Sequence, residues 1–551
     1  MFRPKILTTL RGYTRQMFLG DLAAGIIVGV VALPLAIAFA IASGVSPEKG
    51  LITAIIGGFL ISALGGSRVQ IGGPTGAFVI IIYGIVQQYG EGGLIIACLL
   101  AGVLLVIMGL ARFGTIIKFI PHPVIVGFTS GIAIIIFSSQ IKDFLGLRMG
   151  AVPSGFIEKW QAYLHSFGTA SAETVAVAAG SLVTIALWPR ITRRIPGTLV
   201  ALVGATLAVQ LLHLDAETIG SRFGSIPSTI PMPSIPAISL ETMRAMFGPA
   251  LSIAMLGAIE SLLSAVVADG MIGGRHRSNT ELIAQGIANI VTPIFGGIPA
   301  TGAIARTVTN IRNGGRTPVA GMVHALTLLV IMIFLGRWAT LIPLSCLAAI
   351  LVVVAYNMSE WRSFRSLLRS PRSDVVVLLL TFLLTVLADL TVAIEIGIVI
   401  SMLLFMRRMA IVTNIGSFSR ELGEDAIDYD EPTSVVEPEP GIEIYEINGP
   451  LFFGAAYKFE EAMEVVEDAP AVRVLRMRHV HAIDATGLHA LEEVAARMRK
   501  RGRHLVIAEI HAQPLIALEK SGLDQVIGRM NIHATLDDAL VRARELASFP
   551  K

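Results

Sequence analysis

Gly72-Gly-Pro-Thr-Gly-Ala77 returns, with two residues inserted, as Gly296-Gly-Ile-Pro-Ala-Thr-Gly-Ala303. Both copies interrupt an apolar stretch, and their threonines, Thr75 and Thr301, stand 226 residues apart. Glycine and proline breaks at matching places in the two halves of an apolar chain are how membrane carriers build a binding site from broken helices.

Working outward, the composition agrees. Hydrophobic residues make up 54% of the chain and charged residues 15%, with a mean hydropathy of +0.73; a soluble globular domain carries about 25% charged residues. The chain reads as a polytopic membrane protein whose first partner is the lipid bilayer. Its net charge of +3 is small, and no nucleic-acid partner is expected. Cys98 and Cys346 sit in separate apolar runs, which gives neither a disulfide framework nor a metal-ligand spacing. Residues 1–20 form a basic cytoplasmic segment without the short apolar run and small-residue cleavage site of a secretory signal.

Segments able to cross or half-cross a hydrocarbon core of roughly 30 Å fall near 22–42, 51–65, 75–88, 93–110, 121–141, 172–188, 197–212, 248–268, 281–295, 302–313, 318–335, 339–356, 373–388 and 391–406. With the N-terminus inside, the inner segments hold 20 Lys and Arg and the outer segments seven, the asymmetry that fixes orientation. Both ends of the membrane domain, 21–413, are therefore expected in the cytoplasm, and the location is the cell's inner (plasma) membrane. Seven spans precede the Pro-rich loop at 226–236 and seven follow it. An odd number per repeat inverts the second copy. Shifting span one by 226 residues lands on 248–268, the eighth span.

The helices opening at Pro74/Thr75 and near Thr301 thus approach the midplane from opposite sides, N-terminus towards N-terminus. Each end offers unpaired amides and about half a positive charge, so together they suit an anion without any charged side chain. Gly76 and Gly302 lack a Cβ and allow close approach; Thr75 and Thr301 can donate a hydroxyl or cap the helix. Tight packing alone would also use glycines, but explains neither the pairing nor the Pro and Thr. Glu260 near the centre of span eight and Arg306 just over one turn past Thr301 are costly in hydrocarbon unless they face a cavity or a partner. Arg306 would add to the anion-attracting field, and Glu260 would couple a cation, H+ or Na+. Alternatively the two form an ion pair between helices. Gly25 and Gly29 read as a packing face, Phe39 as a cavity or lipid residue, Asp389 and Glu395 as interface or cap residues.

Residues 414–440 read as an acidic linker: eight acids and no bases lie between Glu421 and Glu439. A βα pattern over 441–551 follows, with strands at 442–447, 472–477 and 504–509 and helices at 457–466, from the opening Asp484-Ala-Thr-Gly487 through about Lys500, at 514–520 and at 536–546. Without a phosphate loop or a nucleophile–base cluster it reads as a regulatory module and the chain as no enzyme.

The chain resembles the SulP anion permease family. The resemblance is carried by Gly73-Pro-Thr-Gly-Ala77, by the run from Phe295 to Arg312, by Gly257-Ala-Ile-Glu-Ser261 and by Asp389-Leu-Thr-Val-Ala-Ile-Glu395. The tail resembles a STAS domain through Asp484-Ala-Thr-Gly487. This implies an all-α membrane domain of fourteen spans, an inverted seven-plus-seven repeat divided into core and gate domains. It also implies elevator-like motion, a homodimer, and a small α/β STAS domain open to a cytoplasmic regulatory partner. It places Phe39, Thr75, Gly76, Ala77, Gly302, Ala303, Ile304 and Arg306 around a small anion, Glu260 at the cation-coupling position, and Thr486 where related regulators are phosphorylated, unless Thr486 is a helix N-cap. Some members carry Ser or Thr where Ile304 stands. Family substrates include sulfate, bicarbonate, halides and dicarboxylates; the stretches 109–114 and 140–146 look similar to bacterial members that carry C4-dicarboxylates. The expected function is proton-coupled anion symport without an organic cofactor. The alternatives are an anion channel, a STAS-centred signalling protein and a nucleobase permease.

Overall fold

A computed structural model describes residues 2–115, 121–150, 152–153, 155–192, 196–224, 229–236, 239–388, 390–417, 441–464 and 470–548. The chain divides into two compact units, residues 1–398 and 399–551.

Each of the fourteen apolar segments holds a helix. In chain order they are α1 (Arg15–Ala42), α2 (Pro47–Leu64), then, after strand β1 (Gly72–Gly73), α3 (Phe78–Leu110). Next come α4 (His122–Ser139), the connecting helix α5 (Phe156–Ser166), α6 (Ala172–Ile191), α7 (Gly197–Leu211), α8 (Leu240–Ile272) and α9 (Ser278–Ile294). Strand β2 (Thr301–Gly302) leads into α10 (Ile304–Arg312), followed by α11 (Pro318–Ala339), α12 (Leu344–Met358), α13 (Arg372–Leu387) and α14 (Leu390–Val412). The third and fourth spans are the two arms of α3, broken at Gly90 (φ 68°, ψ −173°), a conformation open to glycine and strained for other residues.

Local chemistry sets the ends. Thr14 and Thr317 accept backbone N–H bonds at the starts of α1 and α11, and Ser239 with Thr242 forms a capping box on α8. Each supplies a partner for amides that a helix leaves open. Asp21, fully buried, accepts from the amides of Arg316 (2.7 Å) and Thr317 (3.1 Å) and from the hydroxyls of Thr317 (2.5 Å) and Tyr13 (3.0 Å). It clamps α1 to the start of α11.

The inverted repeat is visible in the packing. α1 lies on α11, and in the other half α8 lies on α3; α2 packs on α11 as α9 packs on α3. Small residues bring the backbones together, as membranes favour. A Cβ on Gly102 would stand 2.7 Å from the Gly286 carbonyl oxygen, and one on Gly286 2.6 Å from that of Gly102. Gly25 and Gly29 do form a packing face, against Ala320, Val323 and Thr327 of α11.

The second unit holds a five-stranded sheet in the order β3 (Asn414–Ser417), β4 (Ile442–Asn448), β5 (Val472–Arg476), β6 (His504–Ala508), β7 (Ile532–His533). β3 is antiparallel to β4 and the rest pair in parallel. Helices α15 (Phe453–Glu464), α16 (Ala485–Lys500), α17 (Ala512–Ser521) and α18 (Leu536–Ala547) cover it. Residues 414–417, which composition assigns to the acidic linker, are instead an edge strand: their amides find partners along β4. The rest of that linker, 418–440, lies outside the described residues.

Candidate functional site

The two chain breaks meet. β1 and β2 pair antiparallel, Gly72 opposite Gly302 and Gly73 opposite Thr301, so the helices that follow leave in opposite directions. Irregular backbone at this depth needs internal partners, and the chain supplies them. The Ala303 amide donates to the Ile71 carbonyl (2.8 Å) and the Ile71 amide to Thr307 Oγ1 (3.0 Å). Asn289 Nδ2 donates to the Ala300 carbonyl (2.7 Å), and its Oδ1 accepts from the Ala300 amide (2.9 Å). A π-helical turn at Thr53–Gly57 lies in α2, where Thr53 Oγ1 accepts from the Ile298 amide at 2.7 Å.

α3 starts at Phe78, four residues after Pro74, where the sequence places its opening. Gly76 and Ala77 form the turn into it, and the Pro74 carbonyl accepts from Arg306 Nη2 (2.8 Å) across the junction. Gly73 sits at φ +151°, and a Cβ there would collide with Arg306 Nη1. At the other tip the amides of Ile304, Ala305 and Arg306 have no backbone acceptor among the described residues. Those of Gly76, Ala77 and Phe78 also have none.

A cavity of about 300 Å³ opens over these tips. Phe39, Thr75, Gly76, Ala77, Glu260, Gly302, Ala303, Ile304 and Arg306 all line it, beside apolar Phe128, Ile132, Leu256 and Val354. Thr75 Oγ1 donates to Glu260 Oε2 at 2.7 Å. Arg306 is 3% exposed, and its Nη1 has no partner among the described residues. The alternative ion pair is not formed: Glu260 is held by Thr75 and Arg306 by Pro74.

Thr301 and Thr486 take up different surroundings from the other candidates. Thr301 is fully buried and is not among the residues lining the cavity; its hydroxyl donates to the Gly257 carbonyl of α8 (3.0 Å), fastening the strand to that helix. Thr486 is not the N-cap of α16. Asp484 is, accepting from the Gly487 amide (2.8 Å) and the Phe453 amide (3.1 Å), while Thr486 lies exposed in the first turn. Asp389 and the side chain of Glu395 lie outside the described residues.

Sequence reasoning passed over Gln70, Asn289 and Thr307. Gln70 Nε2 donates to the Ser261 carbonyl (3.1 Å), and a Cβ on Gly302 would occupy the space of that amide. For Asn289 and Thr307 the available signal was a polar residue inside an apolar segment.

The pattern of the Sulfate permease family matches residues 18–381 and that of the STAS domain residues 434–539. The putative sulfate transporter YvdB of Bacillus subtilis is 43% identical over 523 residues, covering 95% of this chain and 97% of that protein. The bicarbonate transporter BicA of Picosynechococcus is 31% identical, covering 91% and 90%. Among solved structures, SLC26A9 superposes with a TM-score of 0.87 at 19% identity, covering 98% of this chain and 92% of that one, a likeness of fold.

Proposed function

The chain belongs to the sulfate permease family of membrane anion transporters, and from that premise we propose that it is a secondary active carrier of a small oxyanion such as bicarbonate, sulfate or a dicarboxylate, driven by a co-transported cation. The observation that carries this reading is the convergence, in one cavity, of two helix starts with free amides, Arg306 and Glu260. The amides and the guanidinium supply positive charge beside apolar walls, whose low local dielectric strengthens each interaction. An ionised Glu260 in the same cavity repels the anion, and a proton on it removes that repulsion. Proton and anion therefore load together; Na+ held by the carboxylate and Thr75 would act the same way. No organic cofactor enters.

The lining comes from the beginning of α4 (Val124, Ile125) and the end of α12 (Asn357, Met358), which the Lys and Arg distribution assigns to the cytoplasmic side. On this reading both termini are cytoplasmic and the conformation offers the site inward. Alternation then carries the paired strands and half-helices, as one elevator-like body, past the gate helices. A homodimer, and a regulatory role for the STAS unit through a cytoplasmic partner, complete the proposal.

Uptake of radiolabelled bicarbonate, sulfate and fumarate into proteoliposomes, with and without an inward proton gradient, tests it. Gradient-dependent accumulation of one of them is expected. Flux that only follows the anion's own gradient would point to a channel.

A further inference from the structure

A second cavity, about 960 Å³, lies beyond the ends of α1, α3's first arm and α4, lined there by Ala42, Gln88 and Ser139. On the orientation proposed above this is the outer side, and three of the seven outer basic residues, Lys142, Lys159 and Arg222, line it. Two are already engaged. Arg222 Nη2 donates to Asp143 (2.8 Å) and its Nε to Glu217 (2.9 Å), while Lys142 Nζ donates to the carbonyls of Met149 and Gly150, both at 3.2 Å.

Lys159 differs. The residue is 5% exposed, and its ammonium has no hydrogen bond or ion pair among the described residues. Asp143, the carboxylate in the same cavity lining, is bonded to Arg222 and leaves the Lys159 ammonium without a counter-charge among the described residues. A solute anion entering the cavity can supply what the protein does not.

We propose that Lys159 forms an outer collecting subsite for small oxyanions such as bicarbonate and sulfate, distinct from the central cavity. It rests on the transport reading above. Such a subsite concentrates the anion ahead of translocation and takes no part in moving the half-helices, so it acts on KM and leaves kcat alone.

The experiment is anion uptake from outside into right-side-out vesicles, comparing wild type with Lys159→Met and Lys159→Arg at matched protein levels. Lys159→Met should raise KM about fivefold to tenfold, within the range that field focusing gives, with kcat within about twofold and with the difference shrinking at high salt. Lys159→Arg should restore the wild-type KM. An unchanged KM in Lys159→Met, a fall in kcat alone, or equal impairment in Lys159→Arg (a packing role) would overturn the subsite while a transporting wild type left the carrier reading intact. A wild type that moves none of these anions would overturn both.

Discussion

Thr75 Oγ1 donates to Glu260 Oε2 across 2.7 Å, tying the turn that follows the first chain break to the middle of α8. The residue best placed to offer a hydroxyl to the anion is thus already committed to the carboxylate proposed to couple the cation. Protonating Glu260 changes what Thr75 can offer, so under the proposed coupling cation and anion loading share an atom and not only a cavity.

Glu260→Gln should therefore uncouple the carrier. The amide keeps the size of the carboxyl and still accepts from Thr75, but it no longer gains or loses a proton. Gradient-driven accumulation should fall to the passive level while anion exchange persists, measured as counterflow with no proton gradient. Full accumulation in this variant would remove Glu260 from coupling.

Gly302 is constrained by a neighbour that can be changed. A Cβ there would overlap the Gln70 side-chain amide, and Gly302→Ala should weaken anion binding at least about tenfold, the effect of displacing a positioned amide. Gln70→Ala in the same chain makes room and should recover part of the loss. Failure of the second change to help would mean that the methyl acts on the anion directly.

Arg306→Met tests the guanidinium. It removes the donor to the buried Pro74 carbonyl, and an unsatisfied buried acceptor costs about 1–3 kcal/mol. The variant should melt earlier in detergent and lose anion affinity together. Arg306→Lys should keep most of the affinity if charge matters more than the fork.

Much of this was legible because broken helices and their repeat are local patterns. The Gly/Pro breaks, the 226-residue offset and the apolar spans lie in the order of residues, and the two tips do meet where the offset implies. What the sequence could not reveal is partner choice over long separations. Thr301 and Thr75 are equivalent in the motif, yet one hydroxyl faces Gly257's carbonyl and the other Glu260. Gln70 reads as an ordinary polar residue until Ser261 is beside it. Asn414–Ser417 is too short for periodicity to show, and it is a strand because β4 offers an open edge.

Asp21→Asn separates scaffold from chemistry. Asp21 accepts four bonds from α11's approach and Tyr13, and it lies outside the cavity lining. An amide can accept through one atom only, so about 2 kcal/mol of stability should go, the scale of a buried charged acceptor. A thermal melt should show the shift, with KM of the folded fraction unchanged.

The edge strand dictates how the tail must be cut. Truncation after Glu439 leaves β3 without β4 and exposes a row of unpaired amides, an aggregation hazard; truncation after Thr413 removes the whole sheet. If the STAS unit regulates transport, the second truncation should express as a soluble-in-detergent carrier with an altered uptake rate, and the first should aggregate on gel filtration. In the full chain, Asp484→Ala should cost about 1 kcal/mol through the lost N-cap, whereas Thr486→Ala should leave stability unchanged because no cap depends on it. A changed uptake rate in Thr486→Glu, with the melt of the STAS unit unmoved, would mark that exposed hydroxyl as a regulatory point. An unchanged rate in both Thr486→Glu and the truncation after Thr413 would remove regulation from the tail altogether.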